Sequence, residues 1–130
     1  MRRVWIVDDD QEMARAMGMM LELLGYQTSS FLNARSAAQT LLTGERPDLM
    51  LLDINMPEVN GLDLLEFLRR RPEWKSLPIV MLSSEAADVT VDEAMELGAD
   101  GYVMKPTTLE ELEKAIETAF QKHQKGKTVR

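Results

Sequence analysis

The chain has 130 residues, a formal net charge of −7, a hydrophobic fraction of 45% and no cysteine. Its length suits one domain with a real core, the lack of cysteine excludes disulfides and cysteine nucleophiles, and the negative charge disfavours nucleic acid as a direct ligand. The one histidine, His123, lies in a polar segment, so histidine-dependent catalysis is not expected. No segment approaches the ~20 apolar residues of a membrane span, and acids interrupt the start MRRVWIVDDD too early for a signal peptide. We therefore expect a cytoplasmic protein with no membrane partner.

Short apolar runs alternate with stretches of helical periodicity along the whole chain. The predicted elements are a strand over 3–7, a helix over 12–24, a strand over 26–31, a helix over 34–42, a strand over 49–52, a helix over 62–70, a strand over 77–82, a helix over 87–97, a strand over 101–104 and a helix from about 109 to 122. Gly25, Gly44 and Gly98 follow three of the helices, as helix-ending glycines do. This alternation predicts an α/β fold with a doubly wound parallel sheet and helices on both faces.

The apolar spacing within the first and last helices indicates which faces are buried. The predicted buried stripes are Met13, Met17, Leu21 and Leu24 in the first helix, and Leu109, Leu112, Ala115, Ile116 and Ala119 in the last. Trp5 is predicted to lie in the core, and Thr107 or Thr108 to cap the last helix. The basic segment 123–130 has no apolar stripe and is predicted to be a frayed end or the start of a linker.

The stretch DLMLLDINMP is the centre of the pattern. The apolar run 49–52 is short enough to be a strand buried on both faces, and Asp53 follows it at once, at the mouth of the sheet. Pro57 offers no backbone donor and is predicted to end strand pairing, and Gly61 to give room for a turn before the next helix. By itself Asp53 is either a helix or turn cap, or a reactive carboxylate at the ligand-binding edge of an open sheet.

The carboxyl ends of the predicted strands collect a specific set of polar residues. They are Asp8 and Asp9 after the first strand, Asp53 after the third, Ser83 after the fourth, Tyr102 within the fifth and Lys105 after it. Carboxylates that converge in one crevice raise one another's pKa, and a cation relieves the repulsion. All-oxygen ligands suit Mg²⁺, and Mn²⁺ can take its place. With Lys105 as a second positive charge and Ser83 as a hydroxyl donor, Asp53 is arranged to attack phosphorus and become an acyl phosphate.

Each of these residues also has an ordinary structural explanation. Asp8 and Asp9 could help to cap the first helix, and Asp10 is predicted to do so. Lys105 could be a surface lysine, and Tyr102 a half-buried aromatic of an edge strand. Their joint occurrence, each at a strand end, favours the reactive site.

With these residues in place, the chain resembles the receiver domain of two-component response regulators. The matching pieces are VDDD at Asp8–Asp9, LLDINMP at Asp53, the glycine at Gly61, LSSEA at Ser83, and GYVMKP from Tyr102 to Pro106. The resemblance extends from Arg3 to about Lys122. It implies a flavodoxin-like (βα)5 fold with strand order 2-1-3-4-5, a receiver domain over 1–122 and a basic tail or linker over 123–130.

The resemblance also implies a role for each matching position. Asp53 would be the phosphoacceptor, and Lys105 would bond the phosphoryl group, with a cis peptide to Pro106. Mg²⁺ would be held by Asp8, Asp9, Asp53 and the backbone carbonyl of Asn55. Ser83 and Tyr102 would move in a two-state switch, and Asn55 and Glu85 would tune how fast the phosphoryl group is lost.

The implied function is a phosphorylation-activated signalling switch rather than an enzyme. Its partners would be a sensor histidine kinase or histidine phosphotransfer protein, and a downstream protein or effector domain that reads the fourth helix, fifth strand and fifth helix. Two features depart from the family pattern. Thr107 stands where phenylalanine is common in the family. The fourth helix has no basic residue, and it carries four acidic ones, Asp88, Asp92, Glu93 and Glu96. It therefore does not support the dimer, found in some receivers, in which charged residues of both signs pair across the fourth and fifth helices.

Three other classes of protein are alternatives to a receiver that acts by phosphorylation. An aspartate-nucleophile phosphatase would carry an acid two residues after the nucleophile, where this chain has Asn55. A flavin carrier of the same topology would need a Gly/Ser/Thr-rich phosphate loop, whereas the first loop here is DDDQE. The main alternative is a receiver-like docking module that works without phosphorylation.

Overall fold

The structure, a computed structural model, describes residues 2–84 and 88–128, and it describes side chains within them except at 88–90 and 124–128. Within these residues five strands alternate with five helices. Their bounds are β1 (Arg3–Val7), α1 (Gln11–Leu23), β2 (Gln27–Phe31), α2 (Ala34–Leu42), β3 (Leu49–Asp53), α3 (Gly61–Arg69), β4 (Ile79–Ser83), α4 (Asp88–Glu96), β5 (Gly101–Met104) and α5 (Leu109–Thr128). Every predicted element is present, and the end of α5 is the one bound that is far from its predicted position.

The five strands form one parallel sheet in the order β2-β1-β3-β4-β5, which confirms the predicted doubly wound fold. Parallel strands deliver their carboxyl ends to one edge. The register pairs Val7 with Leu52, Asp53 with Leu82 and Ser83 with Met104, so the ends of β1, β3, β4 and β5 lie side by side. This alignment positions the candidate site.

Two hydrophobic layers cover the sheet. One contains buried residues of α2, α3 and α4 together with Trp5, which is 2% exposed and confirms its predicted core position. The other contains Met17, Leu21, Ile116 and further residues of α1 and α5. No helix among the described residues is long and apolar enough to cross a membrane.

The helix caps agree with the sequence, and the buried stripes agree in part. Asp10 accepts the backbone N–H groups of Glu12 and Met13 at 3.1 Å each, and Thr108 accepts that of Glu111 at 3.1 Å. The predicted stripes are wrong at Leu109, which is 36% exposed at the first position of α5. Met13, Leu24 and Ala115 are only half-buried.

Helix α5 continues well past the predicted end at Lys122. It runs to Thr128, so the predicted end of the helix is wrong. That residues 123–130 form a basic tail or the start of a linker stays a prediction. The segment contains Gln and Lys residues that favour helix. Where it begins, Lys122 and His123 contact the body of the domain. Lys122 Nζ donates to the Asp100 carbonyl at 2.8 Å, and His123 Nε2 lies 3.0 Å from Asp100 Oδ2. The search for an apolar stripe could not detect these polar contacts.

Candidate functional site

Three aspartates meet at the carboxyl edge of the sheet. Asp8 follows β1 directly and is fully buried, Asp53 ends the neighbouring strand β3 and is 2% exposed, and Asp9 is exposed. Each offers a carboxylate oxygen that lies within 4.8 Å of the other two. The predicted carboxylate cluster is therefore present, with two members buried and one facing solvent.

Lys105 bridges the two buried carboxylates. Its Nζ lies 2.9 Å from Asp8 Oδ2 and 3.4 Å from Asp53 Oδ1, and its side chain is 8% exposed. The sequence placed Lys105 at this edge as a second positive charge, but it did not anticipate that the shorter of its two contacts is to Asp8. Lys105 follows β5, which is separated from β1 by two strands, so only the assembled sheet brings these two residues together.

The pKa of Asp53 lies well above its ordinary value. Burial, and after it the charge of Asp8, raises the pKa of Asp53 from 3.8 to about 7, and Lys105 offsets only part of this rise. Burial acts to lower the pKa of Lys105, but the hydrogen bond to Asp8 and the charges of both carboxylates outweigh it, so its pKa is raised. A cationic lysine is thus not enough to keep Asp53 fully ionised near neutral pH. The donor set and the raised pKa of Asp53 fit a divalent cation that prefers oxygen ligands.

The other two residues predicted at this edge, Ser83 and Tyr102, differ in burial. Ser83 is buried at the end of β4, and its carbonyl accepts the Lys105 N–H at 2.6 Å. Tyr102 is 47% exposed on the edge strand β5 and lies outside the carboxylate cluster. The peptide between Lys105 and Pro106 is cis, as predicted.

Two residues were predicted to tune the loss of the phosphoryl group. Asn55 is exposed in the loop after β3, and its N–H lies 3.4 Å from Asp53 Oδ1. Glu85 lies outside the described residues. The roles of both remain predictions.

The loop after Asp53 folds back tightly on the site. Gly61 N donates to the Ile54 carbonyl at 2.9 Å, and a Cβ at position 61 would overlap the Asp53 carbonyl oxygen. The sequence predicted a glycine here for a turn, but the structure shows that the decisive factor is this close backbone approach. The last hydrogen bond of this strand pairing is from the Ile54 N–H to the Leu82 carbonyl at 3.0 Å. The prediction that Pro57 ends the strand pairing is therefore wrong.

A second polar cluster, at the opposite edge of the sheet, was not predicted. The buried Asp100 precedes β5, and its Oδ2 lies 3.1 Å from Arg69 Nη2, 2.9 Å from the Ile79 N–H and 3.0 Å from His123 Nε2. Arg69 also donates to the carbonyls of Gly98 and Trp74. These contacts tie α3, β4 and α5 together. The sequence signal was weak, because the residues lie 21 to 31 positions away from Asp100.

Comparisons with known proteins agree with this fold and cluster. The family model described as response regulator receiver domain matches residues 4–117. The chain is 33% identical over 120 residues to the chemotaxis protein CheY of Pseudomonas aeruginosa, covering 92% of this chain and 97% of that protein. It is 34% identical over 114 residues to protein RcaC of Microchaete diplosiphon, covering 88% of this chain but only 17% of RcaC. The structure of a putative response regulator from Chloroflexus aurantiacus superimposes with a TM-score of 0.88 at 28% identity, covering 92% of this chain and 98% of that one.

Fold and site together define a flavodoxin-like α/β domain with an acidic cluster at the carboxyl edge of its sheet. The chain belongs to the response regulator receiver domains of two-component systems. Domains of this family signal to effectors and receive their input from histidine kinases. The family binds Mg²⁺ through acidic residues, and this chain has a cluster of three carboxylates, those of Asp8, Asp9 and Asp53.

Proposed function

We propose that Asp53 accepts a phosphoryl group from a sensor histidine kinase or a histidine phosphotransfer protein, in a reaction that depends on Mg²⁺. The observation that carries this proposal is the contact of Lys105 with both buried carboxylates, Asp8 and Asp53, at the edge where ligands of such sheets bind. A structural ion pair would need one carboxylate, whereas Lys105 contacts two, and a carboxylate oxygen of Asp9 lies within 4.8 Å of theirs.

The proposed transfer forms one bond and breaks one. A carboxylate oxygen of Asp53 forms the new O–P bond while the P–N bond to the donor histidine breaks, and the bonding electrons stay on the leaving imidazole nitrogen. Lys105 lies near enough to Asp53 to offset charge on the incoming phosphoryl oxygens. Asp8, Asp9, Asp53 and the carbonyl of Asn55 would hold Mg²⁺, which when bound supplies further positive charge to the phosphoryl oxygens and favours the ionised form of Asp53.

The proposed response is a two-state change of the face formed by α4, β5 and α5, here called the output face. Ser83 would move toward the phosphoryl group, and Tyr102 would turn inward from its present exposed position. A downstream protein or an effector domain would read the altered face. Asn55 and Glu85 would set how fast water removes the phosphoryl group. We propose no direct contact with nucleic acid, in keeping with the net charge of −7.

The first test is intact mass after incubation with acetyl phosphate, with and without Mg²⁺. The wild type should gain one phosphoryl group only with Mg²⁺, and Asp53→Ala should gain none. The control is Asp92→Ala, which removes an exposed carboxylate from α4 and should behave as the wild type. Phosphorylation of Asp53→Ala at the wild-type rate would refute the site. No gain in any condition would favour the docking module that works without phosphorylation.

A further inference from the structure

Strand β2 forms one edge of the sheet, and among the described residues it pairs with β1 alone. Its first residue, Gln27, donates its N–H to the Arg2 carbonyl at 2.9 Å. The backbone polar groups of successive residues in a strand point to opposite sides, so those of Gln27 are directed at β1 and those of Thr28 are not. The N–H and C=O groups of Thr28 and Ser30 therefore face away from the sheet along this edge.

This edge lacks the features that normally prevent an exposed strand from pairing with another chain. Those features are charged residues, proline, a bulge or a very short strand. The segment Gln27–Phe31 has the sequence QTSSF, with no charge and no proline, and its register with β1 is unbroken. By contrast, β5 at the other edge has four residues and is followed by Lys105 and Pro106. Strand β2 is therefore a suitable template for an added strand.

Charged side chains lie at both ends of this edge, and their signs differ. Helices α1 and α2 end near the amino ends of the strands, where Glu22 and Glu45 line a cavity of about 420 Å³ beside β2. Arg35 is exposed in the first turn of α2, at the carboxyl end of β2. Within residues 2–84 and 88–128 these three side chains take part in no ion pair. One strand further in the signs are reversed, with Arg3 at the amino end of β1 and Asp9 after its carboxyl end. A second copy placed antiparallel to β2 would meet charges of opposite sign in both rows.

We infer that β2 is a dimerisation edge, along which two copies of this domain pair as antiparallel strands across a two-fold axis at Ser29. Thr28 of each copy exchanges two backbone hydrogen bonds with Ser30 of the other, so the pairing satisfies the outward groups of both residues. Ser29 lies opposite its own counterpart. Because each copy presents the same surface, the interface closes as a dimer and does not grow into a filament.

Apolar side chains add to this contact. Leu23, the last residue of α1, is 77% exposed, and Leu32, directly after β2, is 43% exposed. The two-fold axis brings Leu23 of one copy to the end of the interface where Leu32 of the other lies, and burial of both from water stabilises the pair of strands. Strand β2 lies at the opposite edge of the sheet from β5. The inference therefore goes beyond the proposed function and does not depend on the phosphorylation of Asp53.

Cross-linking tests the position of the two-fold axis, because the chain has no cysteine of its own. Opposed residues of an antiparallel pair that share no hydrogen bond have Cα atoms about 4.5 Å apart, which a disulfide can span. Ser29→Cys should therefore form a covalent dimer when it is oxidised with copper phenanthroline. The matched control is Ser30→Cys, which is also exposed. Its counterpart is a diagonal neighbour about 7–8 Å away, so it should cross-link at least ~10-fold more slowly.

Sedimentation equilibrium measures the association in solution. The wild type should dimerise reversibly, and Ser29→Lys should weaken the dimer about fivefold, because it places two like charges opposite each other at the axis. The matched control is Gln121→Lys, which adds the same charge at an exposed position of α5 and should dimerise as the wild type does.

Three results would overturn the inference. Equal cross-linking rates of Ser29→Cys and Ser30→Cys would show that the axis does not lie at Ser29. Equal weakening of the dimer by the two lysine variants would show that association depends on net charge or on another surface. A wild type that stays monomeric at every concentration, with Ser29→Cys cross-linking no faster than its control, would leave this edge for an extended segment of another protein.

Discussion

Replacing Asp53 with asparagine removes one negative charge from the buried carboxylate cluster with little change in shape. The pKa of Asp53 is about 7 in the folded protein and near 3.8 in the unfolded chain, because burial and Asp8 disfavour its ionised form. A carboxyl group with a raised pKa binds its proton more tightly in the native state. The native state therefore loses stability as the pH rises from about 4 to about 7, and the loss is complete above that range.

The expected magnitude follows from the two pKa values. The destabilisation due to Asp53 ionisation is about 2 kcal/mol at pH 5 and about 4 kcal/mol at pH 8 in the absence of metal. The Asp53→Asn variant lacks this destabilisation, so its advantage in unfolding free energy over the wild type should grow by about 2.6 kcal/mol between these pH values. The variant is expected to be more stable than the wild type at pH 8, although it has lost a functional group.

Urea unfolding in EDTA measures this difference. Trp5 and Trp74 are 2% and 5% exposed, so their fluorescence reports the loss of the core. The control is Asp92→Asn, an exposed carboxylate whose replacement should change stability by less than ~0.5 kcal/mol at either pH. Mg²⁺ at ten times its dissociation constant should stabilise the wild type by about 1.4 kcal/mol and Asp53→Asn by less. A difference between Asp53→Asn and wild type that is the same at pH 5 and pH 8 would refute the argument.

Three further changes test other parts of the site. Gly61→Ala should lower the unfolding free energy by about 1–3 kcal/mol and slow phosphorylation from acetyl phosphate, because the added Cβ would overlap the Asp53 carbonyl oxygen. An unchanged unfolding free energy in urea would contradict this close approach. Asp100→Ala should destabilise the protein by about 3–5 kcal/mol, because the largely buried Arg69 guanidinium would lose its carboxylate partner. If urea unfolding shows that the unfolding free energy falls by less than ~1 kcal/mol, solvent screens this ion pair. Lys105→Ala should still gain a phosphoryl group, as measured by intact mass, but phosphorylation should no longer change its affinity for the partner. If phosphorylation changes the affinity of this variant as it does that of the wild type, the proposed switch is wrong.

Local patterns explain why the sequence predicted the elements and the carboxylate cluster at the strand ends so well. The apolar run before Asp53 reports a strand buried on both faces, and a charged residue directly after such a strand lies at its end. In a parallel sheet all these ends meet at one edge, so placing Asp8, Asp53 and Ser83 needed only the strand assignments. The resemblance to receiver domains then supplied the roles, including the cis peptide before Pro106, which the structure shows.

The predictions that fail are those that depend on how a helix is placed against the rest of the domain. Helix α5 passes its predicted end at Lys122, and at that point Lys122 and His123 contact Asp100, more than 20 residues earlier. Leu109 fits the apolar period of α5 but lies at its first position, where the helix has not yet reached the core.

The sequence by itself determined the order of strands and helices, the position of Asp53 at a strand end and the acidic character of the site. These depend on residue type and on periodicities of two and 3.6, which are local. Only the tertiary structure decided that Lys105 lies closer to Asp8 than to Asp53, that position 61 must lack a Cβ and that Asp100 anchors α5. Such contacts depend on how strands β1, β3 and β5 are ordered across the sheet and how closely loops approach them, and neither quantity is contained in a local pattern.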